Sequence, residues 1–311
     1  MGYDNEVLDE KYRDFYGPAH NIHKINNLHN LLKQEHGITP TKEWLEDWLV
    51  NSCELIDKYH PETLFFDWWV MNYAFRPYMK KFLAYYYNRS VEWDKEVCVQ
   101  YKSDAIMYNV GIFDRERGQL AATSPYIWQS ETSTAYNSWS YCTTNEFKTA
   151  GKIAGTFVDV ISKNGNFVLN LGPKADGTFC EEEMQILEKL SDWTAKNKEA
   201  IWETQPYKIF GEGKKHGNGS FNEKYNYSHK DYRFTYKTGS IYIFALKPDR
   251  TTFKIKSLKY SGDMFAADIK NVEALGYNQN LHYERNNRCF KIELDSPIET
   301  DMPLCFKVSI D

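Results

Sequence analysis

Apolar residues recur at helical spacing at Trp44, Leu45, Trp48, Leu49, Cys53 and Ile56, which predicts an amphipathic helix. Thr39 and Pro40 suit its N-cap and first helical position, and His60-Pro61 suits its end. Residues 1–38 are polar and read as loop, with one short helix around residues 26–34. Thr63-Leu64-Phe65-Phe66 reads as a short buried strand closed by Asp67. A helix, a short loop and a strand with an acid at its C-terminal end is the layout of a βα unit. A further helix is predicted over residues 75–87 and a strand over 97–101. Between Gly111 and Asn145 the periodicity lapses, so this stretch is read as one long loop. A loop of that length in a compact domain is functional or disordered, and its aromatic residues argue against disorder. Asn145 is expected to cap a helix carrying Ile153, Phe157, Val158 and Ile161, ending at Asn164-Gly165. A strand over residues 166–171 and a turn over 172–177 follow. The next helix opens on Glu181-Glu182-Glu183, acids that suit the positive end of the helix dipole.

Beyond about residue 207 the period changes to two, in Tyr232/Phe234/Tyr236, Ile241/Ile243/Ala245, Phe253/Ile255, Phe290/Ile292/Leu294 and Phe306/Val308/Ile310. These runs predict an all-β sandwich. Gly211-Glu212-Gly213 and Gly217-Asn218-Gly219 read as a linker or loop. The expected organisation is a (β/α) region over 1–207 and a β-sandwich over 208–311.

The chain has 311 residues, 42% hydrophobic and 16% aromatic, which excludes general disorder. A net charge of −5 is too balanced for a nucleic-acid partner held by phosphate contacts. No apolar run reaches the roughly 18 residues of a membrane span, so no membrane partner is expected. The opening segment lacks the basic and apolar regions of a signal peptide. The six cysteines form no CxxC pair, which argues against a zinc or redox site. Cys289 and Cys305 are read either as a disulfide or as buried free thiols. Sequons stand at Asn88, Asn218 and Asn226.

Asp67, flanked by Phe65 and Trp68, would lie at the strand rim that holds the active site in a βα barrel. The alternative is an acid that caps the next helix. Glu116, between Arg115 and Arg117, is a second candidate carboxylate, with Glu131 competing and a surface salt-bridge loop as the plainer reading. Glycoside hydrolysis needs two such groups, one charged and one proton-donating. Gly172-Pro173-Lys174 lacks the spacing of a phosphate loop, and no Gly-x-Ser-x-Gly elbow or His-Glu-x-x-His motif is present.

Several segments recur in order: Leu64-Phe65-Phe66-Asp67, Asp114-Arg115-Glu116-Arg117-Gly118, Trp128-Gln129-Ser130-Glu131-Thr132-Ser133, Ser138-Trp139-Ser140-Tyr141, Leu169-Asn170-Leu171-Gly172-Pro173 with Asp176-Gly177, and Ile201-Trp202-Glu203-Thr204. Together they make the chain resemble glycoside hydrolase family 29, the retaining α-L-fucosidases. The resemblance implies a TIM-like (β/α) barrel followed by a C-terminal β-sandwich, acting on terminal α-L-fucose of an oligosaccharide or glycoprotein glycan. It implies Asp67 as nucleophile and Glu116 as acid/base, with carboxyls about 5–5.5 Å apart. Phe65, Trp68, Arg117, Trp128 and Trp139 would line the substrate site. No metal or organic cofactor is implied. The Asp-x-Glu-Arg-Gly form looks like the branch that prefers α-1,3/4-linked fucose. Ser140 stands where the family usually has Gly.

The family's barrel begins well before its nucleophile, and its early strands supply histidines and a tryptophan to the fucose hydroxyls. The chain is therefore expected to be the second part of such an enzyme, poorly active alone, with self-association or an N-terminal half as partner. Secretory, periplasmic or lysosomal placement is the expectation for a full-length member. The alternative function is a non-catalytic fucose-binding remnant of the same fold.

Overall fold

The computed structural model describes residues 40–214, 219–261 and 265–311, together with Lys11. The expected helix around residues 26–34 and the sequon at Asn218 lie outside the described residues. The chain forms two compact units, Met1–Asp114 and Arg115–Asp311.

In the first unit, α1 (Lys42–Tyr59) is capped by Thr41, whose Oγ1 accepts from the Trp44 amide at 3.2 Å, rather than by Thr39. The helix stops at His60-Pro61 as expected, with His60 in the left-handed region. β1 (Thr63–Phe66) leads through two short 3-10 turns into α2 (Arg76–Trp93). This helix runs past Tyr87 because its polar last turn is tied locally. Arg89 bonds Glu92 and the Tyr85 hydroxyl, and the His60 ring stacks on Trp93 at 4.3 Å. β2 (Cys98–Lys102) and the start of β3 (Ile112–Glu116) complete the unit. β1 pairs parallel with β2, from Thr63↔Cys98 to Phe66↔Tyr101, and β2 pairs parallel with β3. Parallel neighbours need a crossover, and α2 supplies it between β1 and β2. Leu64 and Phe66 pack on a core of Ile56, Phe75, Phe82, Tyr86 and Val99. Strand alternation therefore turns Phe65 away from that core.

In the second unit, β4 (Trp128–Ser133) pairs parallel with β5 (Gly165–Asn170) across α3 (Ala150–Ile161). β3 and β4 both fall in the stretch expected to be loop. β4 shows no apolar alternation because, beyond Trp128, its buried side chains are polar: Ser130 Oγ donates to the Gly118 carbonyl at 2.7 Å, and Thr132 joins an ion cluster. The cap of α3 is Thr149, accepting from the Lys152 amide at 3.1 Å, while Asn145 bonds the Ser140 carbonyl instead. α4 (Glu181–Ile201) begins where expected, yet Glu183 is buried and accepts from Gly172 N and Thr134 Oγ1. That carboxylate is a tie between segments as well as a dipole partner.

Two antiparallel sheets follow. One is ordered β10-β13-β8-β7-β6 and the other β11-β12-β9. Their strands are β6 (Gln205–Glu212), β7 (Tyr232–Lys237), β8 (Ser240–Ala245), β9 (Thr252–Ile255), β10 (Ile269–Ala274), β11 (Leu281–Arg285), β12 (Phe290–Leu294) and β13 (Leu304–Ile310). Gly211 and Glu212 belong to β6, not to a linker; a register break between Pro206 and Gly211 hides the strand from its sequence pattern. β10 and β11 also fall outside the predicted strands. Phe234, Ile243, Phe253, Ile292 and Phe306 fill the space between the sheets. The opposite face of the same strands, with Tyr242, Phe244 and Cys305, packs on Ile153, Val158 and Trp193 of α3 and α4. β8 is accordingly buried along its whole length. All six cysteines are free, so the Cys289–Cys305 disulfide is not made. Cys305 is committed to the α4 side of β13, and Cys289 sits only partly buried before β12.

A partial (β/α) barrel followed by a β-sandwich is thus the architecture. An ion triad stitches α3 to β7. Asp159, Lys163 and Arg233 are all completely buried, and Asp159 takes Lys163 Nζ at 2.7 Å and Arg233 Nε. Burial alone would push the Asp159 carboxyl up, but the two cations prevail and hold it below its ordinary value. No described helix is long and apolar enough to cross a membrane.

Candidate active site

β1 ends at Phe66, so Asp67 is the first residue beyond its C-terminal edge. The parallel register sets Phe66 opposite Tyr101, which makes Asp67 and Lys102 neighbours at adjoining strand ends. Lys102 Nζ lies 3.0 Å from Asp67 Oδ1. The lysine side chain is 4% exposed and the aspartate 58%, so a buried cation holds one oxygen of a solvent-facing carboxylate. Lys102 Nζ also sits 5.4 Å from the Phe65 ring centroid and 5.2 Å from that of Trp68. Cation–π attraction of this kind fixes the ammonium between the rings. The first unit therefore brings together Asp67, Phe65 and Trp68, as their adjacency suggested, and adds Lys102. The signal for Lys102 emerges only with the strand pairing: it is the last residue of the strand next to β1.

The second unit holds the other candidates. Glu116 ends β3 and is buried; Glu131 stands partly buried in β4. Arg117 follows Glu116 with φ 44°, a left-handed conformation unusual for a side chain with a Cβ, and its amide donates to the Glu131 carbonyl at 2.8 Å. Arg117 is buried. Its guanidinium donates to the carbonyls of Ala135 at 2.9 Å, Tyr136 at 3.2 Å and Ser138 at 2.8 Å, and lies 4.3 Å from the Trp139 ring centroid. The arginine thus shapes the loop that carries Trp139. Asn170 supports the same loop by donating to the Trp139 carbonyl at 2.6 Å. Gly172 lets it approach, since a Cβ there would meet Tyr141 N at 2.5 Å.

Trp128, expected to line the substrate site, is placed otherwise. It is 1% exposed and donates its indole N–H to the Lys163 carbonyl at 3.0 Å. Its ring covers Gly165, where a Cβ would come within 2.6 Å. It packs β4 against β5.

A cluster that the sequence did not suggest lies beside Arg117. Glu223 takes Lys148 Nζ at 2.9 and 3.0 Å, Arg117 Nη1 at 3.4 Å and the Thr132 hydroxyl. Burial pulls the Lys148 ammonium below its ordinary value, and Glu223 acts against that fall. Burial, and then the Glu223 charge, push the Tyr136 phenol up. No group of three or more His, Cys, Asp or Glu side chains suited to a metal ion occurs among the described residues.

The family model for alpha-L-fucosidase matches residues 1–199. The tissue alpha-L-fucosidase of Rattus norvegicus is 25% identical over 207 residues, covering 64% of this chain and 44% of that protein. An alpha-L-fucosidase of Branchiostoma floridae is 23% identical over 193 residues, covering 60% and 43%. The chain spans under half the length of these relatives. Among solved structures, an alpha-L-fucosidase superposes with a TM-score of 0.66 at 22% identity, covering 86% of this chain and 57% of that one. The Thermotoga maritima alpha-fucosidase in complex with fucose gives 0.63 at 22% identity, covering 86% and 57%. These likenesses agree with the partial barrel and sandwich, and the match over residues 1–199 decides the rest: the chain belongs to the alpha-L-fucosidase family.

Proposed function

We propose that this chain carries the catalytic carboxylates of a retaining α-L-fucosidase acting on terminal fucose of glycans, α-1,3/4-linked fucose among them. The observation that carries the reading is Asp67 at the C-terminal end of β1, one oxygen held by buried Lys102 at 3.0 Å, between Phe65 and Trp68. A nucleophile needs that arrangement: a fixed carboxylate, oriented by one oxygen and attacking with the other. Asp67 attacks the anomeric carbon as the bond to the leaving oxygen breaks, and the bonding pair passes to that oxygen. Glu116 gives it a proton. Glu116 then takes a proton from water, whose oxygen displaces Asp67 from the anomeric carbon and restores both carboxyl groups. Glu131 is the alternative donor. Trp139, held by Arg117 and Asn170, supplies an apolar wall for the sugar. Residues 208–311 serve as the C-terminal domain.

The test is release of 4-nitrophenol from 4-nitrophenyl α-L-fucoside by this chain, alone and mixed with the N-terminal half of a related fucosidase. Asp67→Ala should abolish it, and the sugar first released should be the α-anomer by proton NMR. Turnover unaffected by Asp67→Ala, or release of the β-anomer, would sink the reading. Fucose binding without turnover in both mixtures would favour the non-catalytic alternative.

A further inference from the structure

The segment after β6 returns to the end of β3. Phe221 N donates to the Glu116 carbonyl at 3.0 Å and Asn222 N to the Arg117 carbonyl at 2.8 Å. Gln119 and Gly219 form an antiparallel bridge. The contact is so close that a Cβ on Gly118 would fall 2.0 Å from the Gly219 carbonyl oxygen. This strap delivers Glu223, whose side chain is 11% exposed, to the two buried cations Lys148 and Arg117.

The donors of the cluster are engaged from several sides. Lys148 Nζ donates to Glu223, to Thr132 Oγ1 at 2.6 Å and to the Ser133 carbonyl at 2.7 Å, and Thr132 donates its own hydroxyl proton to Glu223. Remove the Glu223 charge, and two cations with little access to water repel each other across the end of β4. Arg117 is the member that follows Glu116 directly, and its backbone is left-handed.

We propose that Glu223 is a positioning residue for the proton donor. Through Arg117 it fixes the backbone that aims Glu116, and through the carbonyls of Ala135, Tyr136 and Ser138 it fixes Trp139. The inference rests on the fucosidase reading above for the role of Glu116. A residue of the strap, outside the (β/α) layer, thereby controls protonation of the leaving group.

Two readouts test it on the full chain. The first is hydrogen exchange by mass spectrometry in Glu223→Gln and, because that variant can misfold, in Thr132→Val, which removes the hydroxyl but keeps the carboxylate. Peptides covering residues 114–121 and 134–141 should exchange about tenfold faster, while those from α4 and β13 hold their protection. Unchanged exchange at 114–121 overturns the proposal. So does an even rise over all peptides in both variants, which would make the cluster a general stability element. The second readout is leaving-group dependence, measured with the N-terminal half added. A 2,4-dinitrophenyl fucoside needs no proton to leave, whereas an alkyl fucoside does. Glu116→Gln should cut turnover of the alkyl substrate about 100-fold or more relative to the dinitrophenyl one. Glu223→Gln should show the same selective loss, at least about tenfold. A Glu116→Gln enzyme without that selectivity refutes Glu116 as the proton donor in the fucosidase reading, and the positioning role with it. Selectivity in Glu116→Gln but an equal loss on both substrates in Glu223→Gln refutes only the positioning role.

Discussion

Replacing Asp159 with Asn leaves Lys163 and Arg233 buried without a counter-charge. Asp159 accepts Lys163 Nζ at 2.7 Å and Arg233 Nε, with all three residues completely buried. At an effective dielectric of about 20, a unit pair at 2.7 Å gains about 6 kcal/mol. The second cation gains a similar amount, and desolvating the three ions consumes much of the sum. Breaking such a pair by removing one partner costs about 3–5 kcal/mol. That is a large share of the ~5–15 kcal/mol that holds a domain folded. The assay is urea unfolding at pH 7, followed by tryptophan fluorescence. The pH dependence supplies a further check. A carboxyl held below its ordinary value contributes stability above its unfolded pKa of about 3.9 and loses it as pH falls through the folded value. The gap between wild type and Asp159→Asn should therefore be full at pH 7 and shrink below about pH 4. A loss under about 1 kcal/mol at pH 7, or a gap that widens on acidification, would refute this account of the triad.

Lys102→Met should lower formation of the fucosyl-enzyme about 100-fold while Lys102→Arg keeps most of it, read by trapping with a 2-fluoro fucosyl fluoride; near-equal rates in the two variants would count against the clamp. Gly172→Ala places a Cβ 2.5 Å from Tyr141 N, so the loop bearing Trp139 should shift and fucose affinity should drop about tenfold with little change in Tm, by calorimetry. Burial pulls the Lys152 ammonium down to about 8, so the folded state disfavours the charged form. Stability should accordingly rise between about pH 8 and pH 10 as the unfolded chain alone keeps its proton, and Lys152→Met should flatten that rise in a urea-midpoint series.

The helices and strands that bury apolar stripes are legible in the order of residues. α1, β1, α4 and the alternating strands of the sandwich follow directly from the spacing of residues such as Leu45, Ile56, Phe234 and Phe253. β4 is not, because Gln129, Ser130, Thr132 and Ser133 are buried by hydrogen bonding rather than by hydrophobicity. β6 is hidden by its register break and β11 by its exposed face. Asp67 with its aromatic neighbours is readable because they are contiguous in the chain. Lys102 requires the register of a neighbouring strand, and Glu223 requires a return of the chain over more than a hundred residues to Arg117. The tryptophan at position 128 misleads because its neighbours carry family motifs while its ring closes a strand interface.

The two-sided burial of β8 decides how this chain tolerates being cut. Its one face seals the sandwich and its other face is the floor beneath α3 and α4. A polypeptide ending near residue 207 would keep those helices but bare Ile153, Val158 and Trp193 to water, an apolar patch of the kind that drives aggregation. The sandwich expressed alone would bare the matching face of Tyr242, Phe244 and Cys305. Evolutionary shuffling of the C-terminal sheets onto other enzymes would have to carry α3 and α4 along, so the unit of inheritance is larger than the unit that strand periodicity marks out.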